Sequence, residues 1–270
     1  MDDLERFAVV CLQQPSSLDC GLAVIASALS STATEMQLIR GIDDVASGLS
    51  DRYQLDVGRS LSHVSASEFC QFLFNKQGFQ GVQADYYSPA NSLLDQVLER
   101  RRANPITLSI LGIEIGRRCG FEFVGIGMPG HFLLAEPGNS ISFYDPFVSG
   151  RELSMVQVHE LFESVHGAQQ RFESSYLLPT QPRLILLRVL NNLQAAYTLS
   201  GDRQKLAQVA KLQSVIPGFA IEALGRLAPL LTADGKFSEA AEVHDRLCIE
   251  NPAQAEGHQR AAQQLRARLN

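Results

Sequence analysis

Apolar side chains recur at helical spacing over most of this chain and at strand spacing over one short stretch. Residues 4–12 read as a short amphipathic helix, ended by Gln13-Gln14-Pro15-Ser16-Ser17. Helices follow over about 19–29 and 34–49, the second with Gly41 as a point of interruption. Residues 50–65 are mostly polar and contain glycine, and 66–76 are helical again, with Phe69, Phe72 and Leu73 on the apolar side. Gly78-Phe79-Gln80-Gly81 and Asp85-Tyr86-Tyr87-Ser88-Pro89 break the pattern. The first part of the chain therefore reads as helical packing around what comes next.

That next stretch is the most informative. A helix over about 92–102 places Leu93, Leu94, Val97 and Leu98 on one side, with Ser92 as its expected N-cap. Asn104-Pro105 interrupts it, because a residue before proline avoids the helical region. A second helix spans about 106–119. Leu108, Leu111, Ile115 and Cys119 form one stripe with Ile110 and Ile113 beside it, so most of its surface should be buried. Gly120 closes it. Three β runs come next, at 121–128, 131–135 and 140–144, separated by Pro129-Gly130 and Pro137-Gly138-Asn139. Ser149-Gly150-Arg151 reads as a turn and 154–165 as a helix.

From Pro182 onward the pattern is helix upon helix: 183–200, 203–215, 220–231, 237–250 and 253–269. Gly201 and Gly235 lie 34 residues apart, as do Ala207 and Ala241, and Pro217 and Pro252 lie 35 apart. That recurrence fits a tetratricopeptide-type array. With fewer than three full repeats, the array should need the preceding domain as a cap. The expected domains are residues 1–178 and 179–270.

Composition narrows the possibilities. A net charge of -6 with no basic run argues against a nucleic-acid partner. Asp2, Asp3 and Glu5 directly after Met1 oppose a signal-peptide start. No apolar run approaches the ~18 residues needed to span a bilayer. The five cysteines are scattered among apolar neighbours and read as reduced thiols. The expectation is a cytoplasmic protein with no membrane association. The histidines form no ligand-spaced cluster, so neither a metal nor a cofactor is expected. Gly125-x-Gly127-x-x-Gly130 lies between strands and opens no helix, so it is not a dinucleotide loop.

A buried helix feeding an antiparallel sheet, with His131 on the second strand and Asp145 ending the third, resembles the core of the transglutaminase-like (papain-like) superfamily. The wording is narrower still. Asn91-Ser92, Leu98-Glu99-Arg100-Arg101, Pro105-Ile106-Thr107-Leu108-Ser109, Glu114, Arg117-Arg118, Pro129-Gly130-His131-Phe132-Leu133, Asp145-Pro146-Phe147 and Arg188-Val189-Leu190-Asn191-Asn192-Leu193 resemble the bacterial SirB family. That resemblance implies a transglutaminase-like core followed by a tetratricopeptide tail, and a regulatory association. In the superfamily a Cys at the helix start is the nucleophile, a strand His its base, and an Asp orients the His. Asp145 would then hold His131 through Nδ1–H.

One position departs from this pattern: residues 105–109 contain no cysteine. Thr107 and Ser109 offer hydroxyls, which need a well-placed base. Cys20, in Asp19-Cys20-Gly21 at the start of an apolar helix, is the alternative thiol. Cys119 sits at the wrong end of its helix for a thiolate. Glu114 has Arg117 and Arg118 at i+3 and i+4, an ordinary ion-paired arrangement, and Glu99 with Arg100–Arg102 reads as a solvated helix end. Arg101 or Arg102 is a candidate to hold an anion.

The sequence thus favours an α+β fold and a non-catalytic binding or regulatory module, with a vestigial cleft around His131 and Asp145. Asn91 and Glu114 are further binding candidates, and a protein or peptide partner is expected on the tail. The alternative is an amide hydrolase or acyl transferase using Cys20, Thr107 or Ser109 with His131 and Asp145.

Overall fold

The computed structural model describes residues 1–13, 17–30, 32–57, 64–138, 141–167 and 169–269. In chain order it contains α1 (Asp3–Leu12), α2 (Leu18–Leu29), α3 (Glu35–Val57) and α4 (Ala66–Gln71), the last continuing into a π-helical turn at Phe72–Lys76. Then come β1 (Gln80–Gly81), α5 (Leu94–Arg100), β2 (Arg102–Ala103) and α6 (Pro105–Arg118). Strands β3 (Val124–Ile126), β4 (Leu133–Glu136), β5 (Ser142–Asp145) and β6 (Arg151–Leu153) precede α7 (Met155–His166). The chain ends with α8 (Pro182–Ser200), α9 (Arg203–Gln213), α10 (Ala220–Ala233), α11 (Phe237–Glu250) and α12 (Ala255–Ala267). Mostly helices with small sheets, this is an α+β protein.

Two compact units result: Pro15–Val189, and Met1–Gln14 with Leu190–Asn270. The division differs from the expected boundary after residue 178 in two ways. It falls inside α8, and it groups α1 with the C-terminal helices because α1 packs on α9.

In the unit Pro15–Val189, the four strands form an antiparallel meander in the order β3-β4-β5-β6. Strand alternation explains why its middle is apolar on both faces. Leu133 and Ala135 join Phe143, Leu153, Val158 and Phe162 in one core, on the side covered by α7. Leu134 points the other way, onto α6, where a Cβ on Gly112 would sit 2.5 Å from its Cδ1. Gly112 is therefore what lets the helix approach β4 so closely.

Local chemistry sets the element ends. Asp2 with Glu5, Ser65 with Glu68, and Ser154 with Gln157 form capping boxes at α1, α4 and α7. Asn104 caps α6, accepting from the Thr107 amide at 3.0 Å, with Pro105 in the first turn. Gly120, at φ +88°, closes the far end.

Several expectations are corrected. Ser92 does not N-cap α5: Pro89–Asn91 form a 3₁₀ turn, α5 starts at Leu94, and Ser92 Oγ instead accepts from Asn104 Nδ2 at 2.7 Å. The helix expected to stop near residue 49 runs on to Val57 without a break at Gly41; residues 58–63 of the expected polar connection lie outside the described residues, as does Asn139 of the second turn. Arg151 belongs to a fourth strand, which pairs Asp145 with Arg151 and Tyr144 with Glu152. The parallel pair β1–β2, two residues each, is too short to carry a periodicity.

In the other unit, consecutive helices α9 to α12 pack on one another around Ala207, Ala210, Leu224, Leu227, Ala241 and Leu265. Two of its glycine turns are built alike. Gly201 N–H bonds Thr198 O and Asp202 N–H bonds Tyr197 O, while Gly235 N–H bonds Thr232 O and Lys236 N–H bonds Leu231 O. Both glycines have positive φ, +72° and +73°.

Candidate functional site

His131 and Asp145 meet. Asp145 ends β5 and caps the 3₁₀ turn Pro146–Val148, its Oδ1 accepting from Phe147 N–H at 2.9 Å. Its other oxygen, Oδ2, lies 3.1 Å from His131 Nε2. The two side chains are 10% and 3% exposed, so the pair is sheltered from solvent. His131 is not on a strand: β4 begins at Leu133, and His131 follows the Pro129-Gly130 turn, where Gly130 has φ +73°. From that turn the ring reaches Asp145 with its distal nitrogen foremost, so the contact uses Nε2 and not Nδ1. Nδ1 makes no hydrogen bond among the described residues.

Arg188 of α8, which the sequence did not single out as a site residue, fixes this turn. Its Nη2 donates to Met128 O and His131 O, both at 3.3 Å, and its guanidinium lies 5.1 Å from the Phe132 ring centre. Burial lowers the pKa of this guanidinium, with Tyr86 opposing the shift. A lone arginine within a helical pattern carries no signal of such a partner.

The possible nucleophiles do not join the pair. Thr107 and Ser109 are both 0% exposed, and neither hydroxyl has a hydrogen-bond partner. Cys20, on the first turn of α2, lies among Ser17, Asp19 and Glu114. Burial pushes its thiol up; the Ser17 hydrogen bond opposes this, and the Asp19 and Glu114 charges push it further up. That environment opposes a reactive thiolate. No hydrogen bond connects Cys20, Thr107 or Ser109 with His131 among the described residues.

Asn91 is spent inside the fold. It is 1% exposed, donates to Asp85 O and Tyr86 O at 2.8 and 3.2 Å, and accepts from Arg100 at 3.4 Å. Arg101 and Arg102 donate to Gln77 O and Gly78 O at 2.5 and 3.1 Å, so they tie down a turn instead of facing a cleft.

Glu114 does pair with Arg117 and Arg118, as its spacing suggested, but a long-range partner joins them. Arg118 Nη2 lies 2.6 Å from Asp19 Oδ2, its Nε 2.6 Å from Asp43 Oδ1, and its Nη1 3.2 Å from Glu114 Oε2. Burial alone would raise the Asp19 carboxyl, but hydrogen bonds from Ser17, Arg118 and the Cys20 amide outweigh it and hold the pKa below its ordinary value. Among the described residues no group of three or more His, Cys, Asp or Glu could hold a metal ion, and no helix is long and apolar enough to cross a membrane.

Residues 36–191, more than half of the chain, match the family described as the transglutaminase-like superfamily. The chain belongs to this superfamily. The UPF0162 protein of Xylella fastidiosa strain 9a5c is 36% identical over 152 residues, 54% of each chain. The UPF0162 protein of Pseudomonas aeruginosa is 32% identical over 170 residues, 62% of each chain. The chain thus spans about half the length of the curated relatives it matches first. Human F-box only protein 21 is 31% identical over 98 residues, 33% of this chain and 16% of that protein.

Proposed function

We propose that this transglutaminase-like protein is a non-catalytic binding and regulatory module of the SirB type. It would work in the cytoplasm, with a cleft at His131 and Asp145 that binds without cleaving, and a tetratricopeptide-like tail that docks a protein or peptide. The observation that carries this reading is the split between the two halves of the expected machinery. The His131–Asp145 contact is in place, while the start of α6 offers only sealed hydroxyls. A hydroxyl without a hydrogen-bonded base cannot shed its proton as it attacks, and a thiol beside two carboxylates is held in its unreactive form. For the tail, support comes from the matching glycine turns 34 residues apart and the buried Ala207 and Ala241.

Competitive alkylation tests this. Iodoacetamide at neutral pH, read by peptide mass spectrometry, should label Cys20 no faster than Cys248, and His131→Ala should leave the Cys20 rate unchanged. Fast, selective labelling of Cys20 that disappears in His131→Ala would instead establish the hydrolase or acyl-transferase reading.

A further inference from the structure

A second site lies apart from the His131–Asp145 pair and does not depend on it. A cavity of about 720 Å³ opens between the C-terminal half of α6, the start of β3 and residues 179–185. That size suits a small molecule or the end of a peptide. Leu18, Ile113, Phe123 and Ile185 supply an apolar wall, and Glu114 is set into it. Glu114 is only 4% exposed. The guanidinium hydrogen bonds that reach it, from Arg117 Nε and Nη2 and Arg118 Nη1, all end on Oε2. Oε1 receives none among the described residues, yet it is not one of the sealed-in polar atoms such as Thr107 Oγ1. Glu114 lines the cavity, and Oε1 is its oxygen not taken by a guanidinium. An acceptor-only oxygen with open surface can take a hydrogen bond from a donor in the cavity.

The charge balance bears on what that donor is. Asp19, Asp43 and Glu114 share Arg117 and Arg118, and Glu122 adds another carboxylate to the cavity lining. Among the cavity-lining residues, two carboxylates, Glu114 and Glu122, accompany the one guanidinium of Arg117. Burial raises the Glu114 carboxyl and the Asp19 charge raises it further, against the lowering by Arg117 and Arg118. Arg117 gives two nitrogens to Glu114, and its side chain is 60% exposed, so an anion has to be tested alongside a cation.

We propose that this cavity binds an apolar primary ammonium, whose N–H groups donate to Glu114 Oε1 while its hydrocarbon body packs against Leu18, Ile113, Phe123 and Ile185. A free alkylamine and the amino terminus of an apolar peptide share this chemistry.

Calorimetric titration of the full chain near neutral pH tests it, with n-hexylammonium as probe and n-hexanol and hexanoate as controls. Hexylammonium should bind at a single site, and the two controls at least about tenfold more weakly, the usual scale of one charged hydrogen bond. Glu114→Gln should weaken hexylammonium by a similar factor. Ile113→Phe, which narrows the cavity and keeps the Glu114 charge, should remove binding; thermal unfolding checks that both variants fold. Leu-Leu-Ala amide separates the sources. If it binds more tightly than hexylammonium and acetylation of its amino group abolishes this, a peptide terminus is the natural occupant; hexylammonium binding alone points to a small amine. Equal binding of hexanol, unchanged affinity in folded Glu114→Gln, or no binding by either amine overturns the proposal. Should Glu114→Gln not fold, the hexanol comparison and Ile113→Phe decide.

Discussion

The first turn of α6 buries Ile106, Thr107, Leu108 and Ser109, two of them with hydroxyls that bond nothing, whereas its last turn carries Glu114, Arg117 and Arg118 in a web that reaches Asp19 and Asp43. Both ends belong to one helix, and they differ in the charges that the sequence and the neighbouring helices place there. At the first turn the helix N-terminus would favour negative charge, and the sequence supplies none. At the last turn two cations suit the dipole, and acids from α2 and α3 then gather around them. The lesson is that the electrostatic investment of this core has been made about ten ångströms along the helix from where a nucleophile would need it. The charged end holds structure together, and the other end is plain core.

Changes at the two ends should break or sharpen that contrast. The largest effect is expected from Arg118→Met, which leaves Asp19 and Glu114 buried with Arg117 alone of their two guanidinium partners. Its side chain is 14% exposed, and removing one partner of such a network costs about 3 kcal/mol in urea unfolding. A loss below about 0.5 kcal/mol would mean the web is superficial and the two ends alike. A smaller change of opposite sign is expected at the first turn. Thr107→Val keeps the shape and deletes an unsatisfied hydroxyl, so stability should rise by roughly 1 kcal/mol. Destabilisation there would show that the hydroxyl is used and that this end is polar after all.

The subtlest test is a pH dependence. Asp19 is held below its ordinary pKa in the folded chain, so its contribution is present above the unfolded value of about 3.9 and is lost as pH falls through the folded value. The stability difference between wild type and Asp19→Asn should therefore shrink as urea titrations move from pH 6 to below pH 4. A constant difference would detach Asp19 from the web.

Much of this was legible beforehand. The pattern of Leu108, Leu111 and Ile115 specified a buried helix, and Pro105 and Gly120 marked its ends to within a residue or two. The Pro-Gly turn separated the first two strands, and the order of His131 and Asp145 announced a pair. The rest rested on distance. Strand β6 was hidden because Arg151-Glu152-Leu153 carries no alternation of its own and is defined by pairing with β5. Asn91 read as a site residue, although its polarity is consumed by Asp85, Tyr86 and Arg100. Arg188 read only as part of a family motif in the tail, although it holds the His131 turn.

Periodicity and breakers are local, so the chain alone determined where most helices and turns fall, which faces are apolar, and that the expected nucleophile position holds no sulfur. Only the folded arrangement decided which nitrogen of His131 meets Asp145, that Thr107 and Ser109 are sealed, and that Asp19 joins Arg118 across nearly a hundred residues. Contacts of that kind depend on how helices cross and on which oxygen of a carboxylate is left over. Those quantities arise from packing in three dimensions, and no spacing along a sequence encodes them.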